Sequence, residues 1–150
     1  MRVRELMEVD VLTLDADDHL DLAADLMRLA RVRHMPVLGQ GAVVGIVSQR
    51  DLFRAGVSSV LQLARTAERE WLARIPVAHV MTAPVFSVGP HDSVRNAVSV
   101  MLAKRIGCLP VVDGGRLVGI LSESDCLRYL ARLLEIADAR SELPELPKAT

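Results

Sequence analysis

Aromatic side chains are scarce in this sequence, and charges of one sign do not dominate it. Aromatic residues make up 3% of the 150 residues, and the net charge is −1. A stacking surface for nucleic-acid bases needs more aromatic side chains than this. No basic block is present that would neutralise a row of phosphates. We therefore expect no nucleic-acid partner.

Long apolar runs are missing as well, and cysteine is rare. No stretch approaches the length of a membrane span, and the N-terminal MRVRELMEVD has no signal-peptide core. We expect no membrane partner and a cytoplasmic location. The two cysteines form no CxxC pair and no cluster with metal-ligand spacing. Cys108 and Cys126 are therefore interpreted as small core residues, and no metal site is predicted.

Aliphatic residues are abundant, and they are arranged in one long internal repeat. Residues 3–54 (copy one) align without a gap on residues 77–128 (copy two), at an offset of 74. Sixteen of the 52 aligned pairs are identical, whereas chance gives roughly four at ordinary residue frequencies. A repeat of this length predicts two copies of one structural unit.

The order of apolar segments predicts strand–helix–strand–strand–helix in each copy. Asp18 and Asp92 are expected to cap the first helices. The strands are predicted at 11–14, 35–38 and 42–48 and at 85–88, 109–112 and 116–122, with glycine turns at 39–41 and 113–115 and second helices at 49–74 and 123–139. A three-stranded sheet of about 50 residues cannot easily bury its apolar face alone. We expect an α/β (α+β) fold, in which both β-α-β-β-α repeats pack as one module with a pseudo-two-fold axis.

The same motif ends the last strand of each copy: GIVSQRD at 45–51 and GILSESD at 119–125. Its Ser-x-x-Asp spacing is that of a helix capping box, which explains both residues without a ligand. The glycine three residues earlier indicates a close approach of backbone or ligand to the strand. A carboxylate on the first turn of a helix also has the geometry to hold a ribose diol. From the residues alone, a cap and a binding site both remain open.

The repeated pattern resembles a pair of cystathionine-β-synthase (CBS) domains. The matching stretches are LMEVDVLTLDADDHLDLAADLM, HMPVLGQGAVVGIVSQRD, VMTAPVFSVGPHDSVRNAVSVM and CLPVVDGGRLVGILSESD. The resemblance implies a stand-alone regulatory module that binds AMP, ADP, ATP or S-adenosylmethionine in clefts between the copies. It implies no catalytic cofactor, no catalysis of its own and an unidentified regulated protein as partner.

Site residues follow from the resemblance, position by position. Asp51 and Asp125 would hold ribose, with Ser48 and Ser122 beside them. The adenine would lie against Val11, Thr13, Val85 and Ser87 and against His34, Met35, Pro36, Cys108, Leu109 and Pro110. Phosphates would need the cations that follow the motif, Arg50, Arg54 and Arg128, or those that precede the second strand, Arg33, Lys104 and Arg105. Because Glu123 and Ser124 stand where copy one has Gln49 and Arg50, we expect two unequal sites.

Two other functions remain possible from the sequence. One is a structural dimerisation module with unoccupied clefts, and the other is an enzyme that uses Asp51 or Asp125 as a general base. The domain boundaries are predicted as repeat 3–54, helical linker 55–76, repeat 77–130, and helix end with tail 131–150. An apolar stripe along the linker indicates either packing on its own module or a homodimer surface, and it consists of Val57, Val60, Leu61, Ala64, Ala67, Trp71 and Leu72.

Overall fold

Both copies fold through the same order of elements in the computed structural model, which describes residues 1–57 and 65–141. Each copy begins with a 3-10 turn, at Val3–Glu5 and at Val77–His79. The elements of copy one and the following helix are β1 Leu14–Asp15, α1 Leu20–Ala30, β2 His34–Gly39, β3 Ala42–Ser48, α2 Gln49–Val57 and α3 Arg65–Leu72. The elements of copy two are α4 Val94–Lys104, β4 Cys108–Asp113, β5 Arg116–Ser122 and α5 Glu123–Ser141. The predicted fold class is confirmed.

An antiparallel hairpin forms the centre of each copy. Strand β2 pairs with β3, and β4 pairs with β5. Both central residues of each turn have positive φ, and they are Gln40 (52°), Gly41 (80°), Gly114 (54°) and Gly115 (80°). Two successive positive φ angles are typical of the type I′ turn, which matches the twist of the flanking strands. The glycine turns predicted from the sequence are therefore confirmed.

The first strand of each copy is much shorter than predicted. In copy one only Leu14–Asp15 is a strand, parallel to β2, and in copy two only Val88 bridges to β4, at Val111. The preceding residues cross to the other copy instead. Glu8 bridges to Ile120 in β5, and Thr82 bridges to Ile46 in β3. The predicted strands 11–14 and 85–88 are too long, because within them only Leu14 and Val88 pair with a sheet, and the pairing to the other copy is made earlier, by Glu8 and Thr82.

The helix caps also differ from the prediction. Helix α1 has His19 at its N-cap, and α4 has Ser93, whose Oγ accepts from the Asn96 N–H at 3.1 Å. Asp18 accepts instead from the Asp15 N–H at 2.7 Å, and Asp92 accepts from the Gly89 N–H at 2.8 Å. These carboxylates accept hydrogen bonds from backbone N–H groups of the turn that precedes the helix. Short polar side chains often bond to nearby backbone in this way, in competition with helix capping.

The second helices extend as predicted in copy two and are interrupted in copy one. Helix α5 covers the predicted 123–139, whereas 49–74 is represented by α2 and α3. Residues 58–64 of the predicted linker and residues 142–150 of the predicted tail lie outside the described residues.

Two hydrophobic cores form, and each one includes the first residues of the other copy. Val77 is buried in the core of copy one, with Val80 and Met81 packed beside it. Val3 is buried in the core of copy two, with Leu6 and Met7 beside it. The two copies are therefore interlocked, because each supplies apolar side chains that its own sequence neighbours do not use.

Candidate functional site

The repeated motif forms the same capping box at the start of α2 and of α5. In copy one, the N–H and Oγ of Ser48 donate to Asp51 Oδ2 at 2.8 and 2.6 Å, and the Asp51 N–H approaches Ser48 Oγ at 3.2 Å. In copy two, Ser122 and Asp125 make the same three bonds at 2.8, 2.6 and 3.3 Å. The cap interpretation is confirmed. It uses only one of the two carboxylate oxygens, so it leaves a binding role open.

The glycine of each motif accommodates a close approach, as its position in the strand predicts. A Cβ built on Gly119 would lie 2.7 Å from Met7 Sδ and 2.9 Å from the Glu8 carbonyl oxygen. A Cβ on Gly45 would collide with the Met81 side chain in the same way. The approaching group is therefore the chain itself, at the points where the crossing segments meet the sheets.

A cavity of about 700 Å³ lies beside the capping box of copy one. The residues that line it are Arg33, His34, Ile46, Ser48, Gln49, Arg50, Asp51, Arg54, Thr82, Pro84, Val85, Phe86, Lys104, Arg105, Ile106, Gly107, Cys108 and Glu123. The motif of copy one therefore lies across the cavity from the segment of copy two that leads into the β4–β5 hairpin. The volume is within the range of small-molecule sites.

The cavity brings together many of the residues predicted for a ligand site, although not all of them. It includes His34, Ser48, Arg50, Asp51, Arg54, Val85 and Cys108 and, among the alternative cations, Arg33, Lys104 and Arg105. Val11 and Thr13 line a separate cavity of about 520 Å³ with Arg116, and Ser87 is exposed. Met35, Pro36, Leu109 and Pro110 are buried and do not line the first cavity. Ser122, Asp125 and Arg128 line neither of these two cavities.

Several of the residues that line the cavity are not predicted from the sequence. Thr82, Pro84 and Phe86 come from the crossing segment, and Gly107 comes from the turn before β4. The repeat aligns each residue with its counterpart in the other copy. It does not indicate whether a segment lies against the sheet of its own copy or against that of the other copy. The exchange of Arg33 for Gly107 in the alignment is a difference between the copies that could have pointed to this place.

Positive charge dominates the lining of the cavity. Five cationic side chains line it, Arg33, Arg50, Arg54, Lys104 and Arg105, against the two carboxylates of Asp51 and Glu123. Lys104 Nζ lies 4.8 Å from the centroid of the Phe86 ring, a cation–π distance. A cavity with this surplus of cations attracts an anionic ligand.

Burial sets the ionisation of two lining side chains. Burial, followed by the nearby Arg33, lowers the pKa of His34, although Glu123 and Asp51 act in the opposite direction. Burial, followed by the charge of Glu123, raises the pKa of Cys108 to about 12. The imidazole is therefore mainly neutral at neutral pH and the thiol is protonated. A protonated, buried thiol is a poor nucleophile.

The family of the chain follows from its match to known proteins. The family model of the CBS domain matches residues 3–58 and again residues 77–132. The chain belongs to the CBS domain family. The resemblance drawn from the repeated motif is thereby confirmed, and the two matched ranges cover both copies.

Known proteins of similar chain length match most of this chain. A CBS domain-containing protein of Dictyostelium discoideum is 30% identical over 135 residues, which are 89% of this chain and 93% of that protein. The CBS domain of a CBS domain-containing membrane protein from Sphaerobacter thermophilus is 30% identical, with a TM-score of 0.71 over 85% of this chain and 86% of that one. The CBS domain pair of protein MJ0100 is 21% identical, with a TM-score of 0.76 over 89% of this chain and 98% of that chain, which shows the same fold. None of the helices among the described residues is long and apolar enough to cross a membrane.

The second CBS copy arranges its equivalent residues differently. Asp125 is 8% exposed, and its Oδ1 pairs with the Arg128 guanidinium. Asp51 is half-buried at the edge of the cavity, and its Oδ1 has no hydrogen bond within the described residues. Across the two copies, Arg33 donates to Ser124 Oγ at 2.7 Å. The two clefts of this CBS pair are therefore unequal, as the differences in their sequences predict.

Proposed function

We propose that this CBS domain pair is a regulatory module that binds an adenosyl ligand in the copy-one cavity. The observation that carries the proposal is the position of Asp51. Asp51 lines a cavity with cations from both copies, and within residues 1–57 and 65–141 its Oδ1 has no hydrogen bond. The CBS pair of MJ0100 was solved in complex with 5′-methylthioadenosine and S-adenosyl-L-methionine, which supports an adenosyl ligand for this fold.

The lining residues suit the three parts of an adenine nucleotide. Asp51 Oδ1 accepts two ribose hydroxyl groups, while Ser48 holds the other carboxylate oxygen in place. Val85 and Phe86 supply an apolar wall for the base. The cations supply the partners for phosphates, since charged hydrogen bonds to phosphate are the stronger ones. The ligand class is AMP, ADP, ATP or S-adenosylmethionine, and the surplus of cations favours the phosphorylated members.

A ligand in this cavity can influence how the two copies are arranged, because the walls of the cavity belong to both copies. A ligand that binds one arrangement of the copies better than another shifts the population toward that arrangement. An unidentified partner protein responds to the shift, and the module needs no catalysis of its own for this role. The alternative is a structural module with unoccupied clefts, which is favoured by the observation that the capping box alone accounts for Ser48 and Asp51.

A thermal-shift screen with AMP, ADP, ATP and S-adenosylmethionine separates the two functions. A ligand at 100 times its dissociation constant stabilises the folded state by about 2.7 kcal/mol. Asp51→Asn keeps an oxygen for the cap and removes the charge that holds ribose, so binding should weaken by about 1.5–3 kcal/mol. Asp92→Asn removes a carboxylate outside the cavity and serves as the control. If no ligand raises the melting temperature, the structural alternative holds.

We also propose that the module is a homodimer that pairs through α5. The residues of the predicted linker stripe do not share one environment. Leu72 is buried in the copy-one core, whereas Trp71 is 44% exposed. The side chains of residues 57–66 lie outside those described. Helix α5, in contrast, exposes Leu127, Leu130 and Leu134 at i, i+3, i+7 spacing, which places them on one face. An apolar helix face can pack against the same face of a second copy, as a two-fold interface requires.

Light scattering of a charge variant tests the dimer. Leu130→Glu should convert a dimer into a monomer of 16.4 kDa, because it places an unpaired charge within the apolar face. Leu29→Glu introduces the same charge at a position on α1 that is 72% exposed, and should leave the mass unchanged. A monomer mass for the parent protein at high micromolar concentration would contradict the proposal.

A further inference from the structure

The imidazole of His34 lies in the wall of the copy-one cavity, and it keeps its polar atoms available there. His34 begins β2 and pairs with Ser48 across the hairpin, which fixes the position of its backbone. Within residues 1–57 and 65–141, neither ring nitrogen takes part in a hydrogen bond or an ion pair. Every enclosed side-chain nitrogen or oxygen of these residues has a partner, so both ring nitrogens are open to the cavity or to solvent. The ring can therefore meet a ligand in either protonation state.

Groups from both copies surround this ring. A Cβ built on Gly107 would lie 3.1 Å from His34 Cε1 and 3.4 Å from Glu123 Oε2, so the imidazole and this carboxylate meet beside Gly107. The Glu123 N–H donates to the Gly107 carbonyl oxygen at 2.9 Å, which holds the start of α5 at this point. Copy one adds Arg33, Arg50, Asp51 and Arg54 to the same lining, and copy two adds Lys104, Arg105 and Cys108.

These groups act on the ionisation of His34 in opposite directions. Burial is the largest influence on its pKa and lowers it, as do the charges of Arg33 and Arg50, whereas Glu123 and Asp51 raise it. Both arginines line the cavity, so an anion bound there would offset their effect on the ring. The anion would also give the ring nitrogens a hydrogen-bond acceptor, and a hydrogen bond made by the charged form favours that form. An anionic ligand therefore favours the imidazolium, and the imidazolium favours the anion by the same factor.

We propose that His34 couples ligand binding in the copy-one cavity to the uptake of a proton, so that a phosphate-bearing ligand binds together with one proton from solvent. This inference rests on the proposed function and adds its regulation, because the module then responds to pH as well as to the ligand. The affinity rises as the pH falls toward 6.5, the ordinary pKa of histidine, by at most about tenfold per pH unit. The Cys108 thiol, with a pKa of about 12, stays protonated throughout and contributes no charge.

Isothermal titration with AMP, ADP and ATP counts the protons. Measured at about pH 6.5 in buffers of different ionisation enthalpy, it gives the number of protons taken up on binding. The ligand phosphate titrates near pH 6 itself, so the parent protein is compared with His34→Gln, in which the ligand is the same. The parent should take up more protons than this variant, by as much as one per bound nucleotide. Equal uptake would overturn this inference and leave the proposed function intact.

His79→Gln is the matched control for this comparison. It makes the same substitution at an exposed position outside the cavity lining, so proton uptake should remain that of the parent. S-adenosylmethionine is titrated as well, because it carries no phosphate. If it alone binds, this inference is overturned and the proposed function stands, and if none of the four ligands binds, both are overturned.

Nuclear magnetic resonance tests the coupling in the parent protein without a variant. The Cε1–H signal of His34 is followed against pH, first in the free protein and then in the protein saturated with the nucleotide that binds. The titration midpoint of this signal should move to higher pH in the complex. A midpoint that stays in place or moves lower would show that the ring takes up no proton when the ligand binds.

Discussion

His34 shows how one side chain is controlled by both copies. Burial is the largest influence on its pKa and lowers it, and the positive charges of Arg33 and Arg50 lower it further. Glu123 of copy two and Asp51 of copy one raise it, without overcoming the effect of burial. The folded protein therefore favours the neutral imidazole more than the unfolded chain does. A preference of this kind makes stability depend on pH.

The stability of the protein should fall as the pH decreases below about 6.5, the ordinary pKa of histidine. In that range the unfolded chain binds a proton at His34 before the folded protein does, so protonation favours unfolding. The slope from this one group is at most about 1.4 kcal/mol per pH unit. Urea unfolding at pH 7.5 and pH 5.5 measures the free energy of unfolding at each pH, and His34→Gln should reduce the difference between the two free energies. An equal difference in the parent and the variant would contradict the assignment to His34.

The elements that the sequence predicts best are those with two independent signals. The hairpins β2–β3 and β4–β5 combine apolar strand patterns with glycine turns, and their predicted positions agree with the structure to within a few residues. Both hairpins even shift register at the same repeat position, after Val37 and after Val111. The first strands carried one signal only, an apolar run, and an apolar run does not specify which sheet it joins.

The residues of the candidate site also include some that the sequence predicts and some that it does not. Ser48 and Asp51 were predicted because spacing within one helix turn fixes their geometry. Phe86 and Gly107 were not, because their place in the cavity depends on how the copies cross. The buried Met35 and Leu109 show the converse, since a strand position alone does not say whether a side chain faces a ligand or the core.

At the scale of the whole molecule, the crossing segments explain why the repeat needs both copies. Val3 begins copy one in sequence but is buried in the core of copy two, and Val77 begins copy two but is buried in the core of copy one. The same segments continue past Gly45 and Gly119 toward the clefts. The packing that joins the copies thus also builds the walls of the candidate site, so the stability of the pair and the shape of the cavity are linked.

Truncation of one crossing side chain should destabilise the copy to which it does not belong in sequence. Val3 is fully buried, so Val3→Ala removes two methyl groups from a packed core and should lower the free energy of unfolding by about 1.5–3 kcal/mol. Val9→Ala is the same substitution six residues later, at a position that is 62% exposed, and should change stability by no more than about 0.5 kcal/mol. Urea denaturation gives both values, and hydrogen exchange locates the effect. Loss of protection should appear in β4 and β5, because Val3 belongs to the same core as Leu109 and Leu121. Loss confined to β2 and β3 would show that the N-terminal segment stabilises its own copy and that the interlocked arrangement is wrong.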